Sequence, residues 1–261
     1  MNTYLKKKIK NFFLTLFIFI ILFSSIINIY DNRSKILSFF INKFLSETTP
    51  SLTKYTDNNK NAFWANEILN GGYILHFRHA ERDKWIDVQM YDALESDVHS
   101  NGPDKSRYAE NEYFDKAVCL NSRGKIQARA IGEHLKNIGL PIGKVITSVS
   151  CRSRQTAKLA FGGYDSMYRI LVHTGPYNED LSLRNEKLKK FYSNIEILEG
   201  TNTFVSSHNS VVTCEMFENC YGKTLTLDEG GFFVISKKNK LLYLENTFYN
   251  FNSFNNEFYK R

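Results

Sequence analysis

No HxH pair, no HExxH segment and no pair of CxxC motifs occurs in the 261 residues, so the common zinc signatures are missing and neither a metal nor another cofactor is expected. Cysteine is scarce. Four residues, Cys119, Cys151, Cys214 and Cys220, are too few for a disulfide scaffold. No internal repeat is present, which excludes solenoid and propeller arrays. Surplus charge is also lacking. The formal charge is +7, but Lys6, Lys7, Lys8 and Lys10 supply four of these, leaving +3 on the other 251 residues. That is a weak basis for a nucleic-acid partner, and none is expected. With 43% apolar and 23% charged residues, the chain is neither wholly disordered nor a coiled-coil rod.

What is present begins with one long apolar run. Residues 12–29 (FFLTLFIFIILFSSIINI) contain no charge. As a helix they would rise about 27 Å, close to the ~30 Å hydrocarbon core of a bilayer. The run is long for the apolar part of a signal peptide, and no small-x-small cleavage site follows it. The expectation is an uncleaved anchor at 11–30 after a cytoplasmic basic segment at 1–10. By the positive-inside rule the remainder lies across the membrane. Residues 31–70 read as a juxtamembrane amphipathic helix followed by a polar linker at 46–61.

From about residue 70 the pattern alternates between strand and helix. Strands are expected at 73–77, 144–148, 169–173 and 203–207, and a terminal hairpin at 232–236 and 241–245. Helices are expected from Asn121 or Ser122 to Asn137, and over 152–161, 182–196 and 210–219. Cys214 and Cys220 would then point apart unless the last of these helices ends near Glu218. Cys151 reads as a filler residue. The tail at 249–261 shows no clear structure. Such alternation predicts an α/β fold, a three-layer α/β/α sandwich with a mainly parallel central sheet, preceded by one transmembrane helix. The domain would span 71–248. It carries an insertion at 83–118 with nine acidic and four basic residues, a candidate lid.

Three expected strand ends carry unusual residues: Arg78-His79-Ala80-Glu81-Arg82, then Ser148 with Cys151-Arg152-Ser153-Arg154, then His208-Asn209. In a parallel sheet these carboxyl ends line one edge, where ligands bind. Arginine forks match phosphate oxygens, and helix starts near Arg152 and Asn209 would add amide donors. A histidine among arginines has a lowered pKa and stays neutral and nucleophilic near pH 7. The constellation predicts a phosphate pocket with a nucleophilic histidine. His76 reads as a core residue, Arg154 as structural, and His99, His134 and His173 as solvated or structural.

The segments 74–82 (ILHFRHAER), 120–129 (LNSRGKIQAR), 147–157 (TSVSCRSRQTA) and 204–209 (FVSSHN) together resemble the histidine phosphatase, or phosphoglycerate-mutase-like, superfamily. The resemblance spans residues 71–236. It implies that His79 accepts the phosphoryl group, that Arg78 and Arg152 hold it and that His208 hydrogen-bonds it. Arg82 matches a second arginine found in some branches. Ala80 stands where the family usually has glycine. Glu179, shortly after the third strand, is the candidate general acid, with Glu81 and Asp180 as rivals. Arg82, Asn209 and Glu81 form the candidate substrate-binding set. The layout is most similar to membrane-anchored extracytoplasmic members such as the lipopolysaccharide core heptose phosphatase type. The implied activity is phosphomonoester hydrolysis of a phosphorylated small molecule or glycan. The alternatives are a phosphotransferase or mutase of the same superfamily and a non-catalytic anchored phosphate-binding module. The oligomeric state is left open.

Overall fold

The computed structural model describes residues 57–83, 118–173 and 180–259, all within one compact unit. The expected anchor, the juxtamembrane helix, most of the insertion, His99 and Glu179 lie outside these residues. Among the described residues no helix is long and apolar enough to cross a membrane.

The elements are α1 (Asp57–Glu67), β1 (Ile74–Arg78), α2 (Ser122–Asn137), β2 (Ile142–Ser148), α3 (Cys151–Phe161), β3 (Ser166–Tyr168), α4 (Leu181–Asn194), β4 (Asn202–Ser207), β5 (Phe232–Lys238), β6 (Leu241–Phe248) and α5 (Phe251–Tyr259). The six strands form one sheet in the order β3-β2-β4-β1-β5-β6. The first four in that order are mutually parallel, and β5 and β6 add an antiparallel edge. The architecture is therefore α/β with a mixed sheet that is parallel across the half carrying the strand ends described below.

Burial on both faces explains the near-continuous apolar runs of the central strands. Leu75, Phe77, Phe204, Phe232 and Val234 enter one core. Ile74, Val205, Phe233 and Ile235, their neighbours along the same strands, enter the other. The helix α2 begins where its cap predicts, because the Asn121 side chain accepts from the Gly124 amide at 2.7 Å. Gly124 cannot be larger, since a Cβ there would stand 1.9 Å from the Glu81 carbonyl oxygen. The β5–β6 hairpin turns on Asn239 and Lys240, both at positive φ (51° and 66°). This is the pattern of a two-residue type I′ turn.

Four segments depart from the sequence reading. Residues 57–70, expected as linker, form α1 and a 3₁₀ turn (Ile68–Asn70), with Ala65 and Ile68 fully buried in the first core. The expected strand at 169–173 is a 3₁₀ turn (Arg169–Leu171), and the edge strand lies three residues earlier. The buried Arg184 guanidinium donates to the carbonyls of Ile170 and Val172, taking acceptors that a ladder would need. The expected helix at 210–219 is reduced to a 3₁₀ turn (Cys214–Met216). Ser210 sits at φ 63°, and the Asn209 amide exchanges two hydrogen bonds with the Leu227 backbone, both 2.9 Å. Finally, the tail forms α5. Asn250 receives a hydrogen bond from the Ser253 amide, and Phe251, Phe254 and Phe258 share the face that packs on His134.

All four cysteines are paired, as Cys119–Cys151 and Cys214–Cys220. Cys151 is thus not a filler. Because the helix at 210–219 does not form, Cys214 and Cys220 lie within bridging distance, with Cα atoms 5.0 Å apart.

Candidate active site

Strand register brings the two histidines together. In the β1–β4 ladder Arg78 lies opposite Ser207, and the His79 amide donates to the Ser207 carbonyl at 3.0 Å. The next residues, His79 and His208, therefore leave the sheet side by side, with ring centroids 5.2 Å apart. Both are almost fully buried, at 4% and 3% exposure. On the other side of β4, β2 ends at Ser148 and is followed by α3, whose second residue is Arg152. Arg152 is 1% exposed.

A hydrogen bond sets the His79 tautomer. His79 Nδ1–H donates to the Ala80 carbonyl at 2.7 Å, leaving the lone pair on Nε2. At His208, Nε2 faces two hydroxyls, Ser148 Oγ at 3.0 Å and Ser153 Oγ at 3.3 Å. Ser148 Oγ also accepts from the Ser150 amide, and Ser153 Oγ also donates to the Ser207 carbonyl. His208 Nδ1 is buried and has no hydrogen-bond partner among the described residues. A buried polar atom left in this way is suited to a ligand's polar group.

Electrostatics keep both rings neutral. Burial lowers the His79 pKa well below its usual value, and the Arg152 charge lowers it further, with smaller contributions from Arg78 and Arg82. Burial and then Arg152 do the same for His208. A neutral imidazole with a free Nε2 lone pair is a nucleophile, while the guanidinium groups around it attract an anion. The start of α3 adds the positive end of a helix dipole.

The remaining candidates have different fates. Arg78 is held from behind, donating to Glu229 Oε1 at 2.8 Å and to the Leu227 carbonyl. Arg82 donates to the Asp83 carbonyl at 2.8 Å and contributes to the field on both histidines. Glu81 turns to α2, where Oε1 accepts from Arg123 and Asn121. The side chain of Asn209 is committed to Leu227 and shapes the loop. Arg154 donates to the Val149 carbonyl at 2.9 Å. His76 is buried between the Tyr192 hydroxyl (2.6 Å) and the His208 carbonyl (3.3 Å), with burial lowering its pKa to about 4. His134 sits among the aromatic rings of α5, and His173 approaches the site, its ring centroid 5.5 Å from that of His208.

Several contributors were not singled out from sequence. Ser148 and Ser153 hydrogen-bond His208 Nε2. Thr156 accepts from the Ala80 amide and donates to the Arg152 carbonyl, tying the strand end to α3. Gln127 accepts from the Glu81 amide and donates to the Glu229 carbonyl, and Glu229 in turn orients Arg78. Serine, threonine and glutamine at such positions carry no distinctive pattern. The stretches 147–157 and 120–129, quoted above for the family resemblance, contain the serines, the threonine and the glutamine. Among the described residues no group of three or more His, Cys, Asp or Glu could hold a metal ion.

A cluster of this composition at the strand ends of an α/β sheet suits a phosphate group and a nucleophilic histidine. Residues 110–171, spanning α2, β2 and the helix that carries Arg152, match the family described as the histidine phosphatase superfamily, branch 1. Over that stretch the chain is similar to that superfamily. No curated protein sequence matches it. Solved structures similar to it include the protein histidine phosphatase SixA complexed with tungstate, 16% identical, covering 69% of this chain and 98% of that one at a TM-score of 0.44. Another is the alpha-ribazole phosphatase from Shigella flexneri, 13% identical, covering 68% and 96% at 0.44. A third is a mutant phosphoserine phosphatase from Entamoeba histolytica in complex with phosphoserine, 11% identical, covering 67% and 96% at 0.41.

Proposed function

We propose that the protein is a phosphomonoester hydrolase that works through a phosphohistidine at His79. The observation that carries this reading is the buried pair of neutral imidazoles 5.2 Å apart in the field of Arg152. His79 Nε2 attacks phosphorus in line with the leaving oxygen, forming an N–P bond as the P–O bond breaks. Arg78, Arg82, Arg152 and His208 stabilise charge on the equatorial oxygens. The leaving oxygen takes its proton from a carboxylic acid, for which Glu179 is the candidate. Water then attacks the phosphohistidine, giving its proton to the same carboxylate. Inorganic phosphate leaves and Nε2 is regenerated.

We further propose that the catalytic domain acts outside the cytoplasm, on a phosphorylated glycan or small molecule, with residues 11–30 as the membrane anchor. Two features support this reading. One is the uncharged run at 12–29 after its lysine cluster. The other is the use of all four cysteines in disulfides, which persist in oxidising compartments. The test of mechanism is uptake of labelled phosphate from an aryl phosphate. The wild-type protein should trap acid-labile label on histidine, and His79→Ala should trap none. Label retained in that variant would remove His79 from the role.

A further inference from the structure

We propose that the Cys119–Cys151 disulfide is a positioning element for Arg152, so that the phosphate-binding form of the pocket is the oxidised form. This rests on the reading of Arg152 as a phosphate ligand given above.

Residues 118–120, where the chain returns from the insertion, are joined to the first turn of α3 at three consecutive points. The Val118 carbonyl lies 3.5 Å from Arg152 Nη1 as its acceptor. Cys119 is bonded to Cys151, the residue before Arg152, with Cα atoms 4.9 Å apart. The Leu120 amide donates to Gln155 Oε1 at 2.8 Å. Val118, Cys119 and Leu120 are all at most 3% exposed. The covalent link thus sits between two hydrogen bonds, one of which ends on the guanidinium itself. Arg152 is a long side chain held in a buried pocket, and a buried cation needs its surroundings fixed if it is to meet an anion in one geometry. Without the bridge, the segment bearing the Val118 carbonyl loses its covalent link to α3.

The second disulfide provides an internal control. Cys214–Cys220 joins two residues six apart, within the core on the opposite face of the sheet from the aromatic cluster. The redox change is balanced. A dithiol such as dithiothreitol gives two electrons and two protons, the Cys119–Cys151 S–S bond becomes two thiols, and the dithiol closes to a cyclic disulfide.

The experiment is calorimetric titration of the full chain with inorganic phosphate, which requires no turnover. Cys119→Ala with Cys151→Ala should bind phosphate about tenfold more weakly, while Cys214→Ala with Cys220→Ala should bind within about twofold of wild type. The decisive arm is a double-mutant cycle. In an Arg152→Lys background, removal of the Cys119–Cys151 bridge should change the affinity by less than about twofold. A purely structural bridge would weaken binding equally in both backgrounds, and that result overturns the proposal. Unchanged affinity in the otherwise wild-type background overturns it as well. If the alanine pair does not fold, Cys119→Val with Cys151→Ser refills the volume, and dithiothreitol applied to the folded variant carrying Cys214→Ala with Cys220→Ala reads the same loss. Wild-type protein that binds no phosphate would overturn the phosphatase reading together with this one. Phosphate binding that is insensitive to the bridge would overturn this one only.

Discussion

Phe77 and His79 stand two residues apart on the line of β1, yet they belong to regions with opposite physics. Phe77 stacks with Phe232 and Phe204 at centroid distances of 4.5 and 5.5 Å, in a cluster that continues through Phe248 and Phe254 and holds no charge. His79, one step past the last ladder residue, sits among guanidinium groups with an imidazole as its neighbour. The first region gains free energy from every ring it buries. The second buries cations and the unpartnered His208 Nδ1 and holds them in readiness for a ligand. The sheet allows both because a strand's backbone is satisfied along its length, while at its carboxyl end the side chains face a crevice.

The comparison can be broken from either side. His79→Ala should lower turnover by about 10³-fold or more and leave the melting temperature close to wild type, as seen by aryl phosphate hydrolysis beside thermal unfolding. Phe254→Ala should do the reverse. Loss of a fully buried ring should cost about 3–5 kcal/mol of stability by denaturant unfolding, while KM of the folded fraction stays unchanged. A strong catalytic defect in the second variant, or an equal loss of stability in the first, would mean that the two regions are not separable.

Acid should find the buried histidines before it finds the aromatic cluster. His76 has a folded-state pKa near 4, against about 6.5 when unfolded. Its contribution to stability is whole above pH 6.5, is lost as pH falls toward 4 and levels off below that. Across this window the loss is about 3 kcal/mol. His76→Gln should therefore flatten part of the slope of unfolding free energy against pH between 6.5 and 4. An unchanged slope would contradict the assignment.

The smallest expected effect is on the acid limb of kcat/KM. Burial is the first cause of the lowered His79 pKa and Arg152 the second. Arg152→Ala should therefore move the acid limb to higher pH, but not as far as an exposed histidine would place it. A shift to lower pH would reverse the sign and show that Arg152 does not act on His79.

Much of this contrast is legible in the residues themselves. Asn121 as a cap, the apolar runs of β1, β2 and β4, and the arginine–histidine clusters at their ends are local patterns, and each states its element without help from the rest of the chain. The failures share one cause, which is long-range competition for the same backbone. Arg184, on α4, takes the carbonyls that would have made 169–173 a strand. Leu227 engages Asn209 and a disulfide closes nearby, where 210–219 had the periodicity of a helix. The phenylalanines of α5 form a helix because a hydrophobic face awaits them around His134 and Phe232.

By itself the sequence determined the α/β alternation, the family resemblance and the identity of the two histidines and the arginines, because apolar period and residue chemistry are properties of short stretches. Only the tertiary structure decided the hydrogen-bond partners of each imidazole, which cysteines pair, and that Glu81 pairs with Arg123 while Asn209 engages the Leu227 backbone. Most of those outcomes depend on groups brought together from positions tens of residues apart, and no local pattern encodes a distance of that kind.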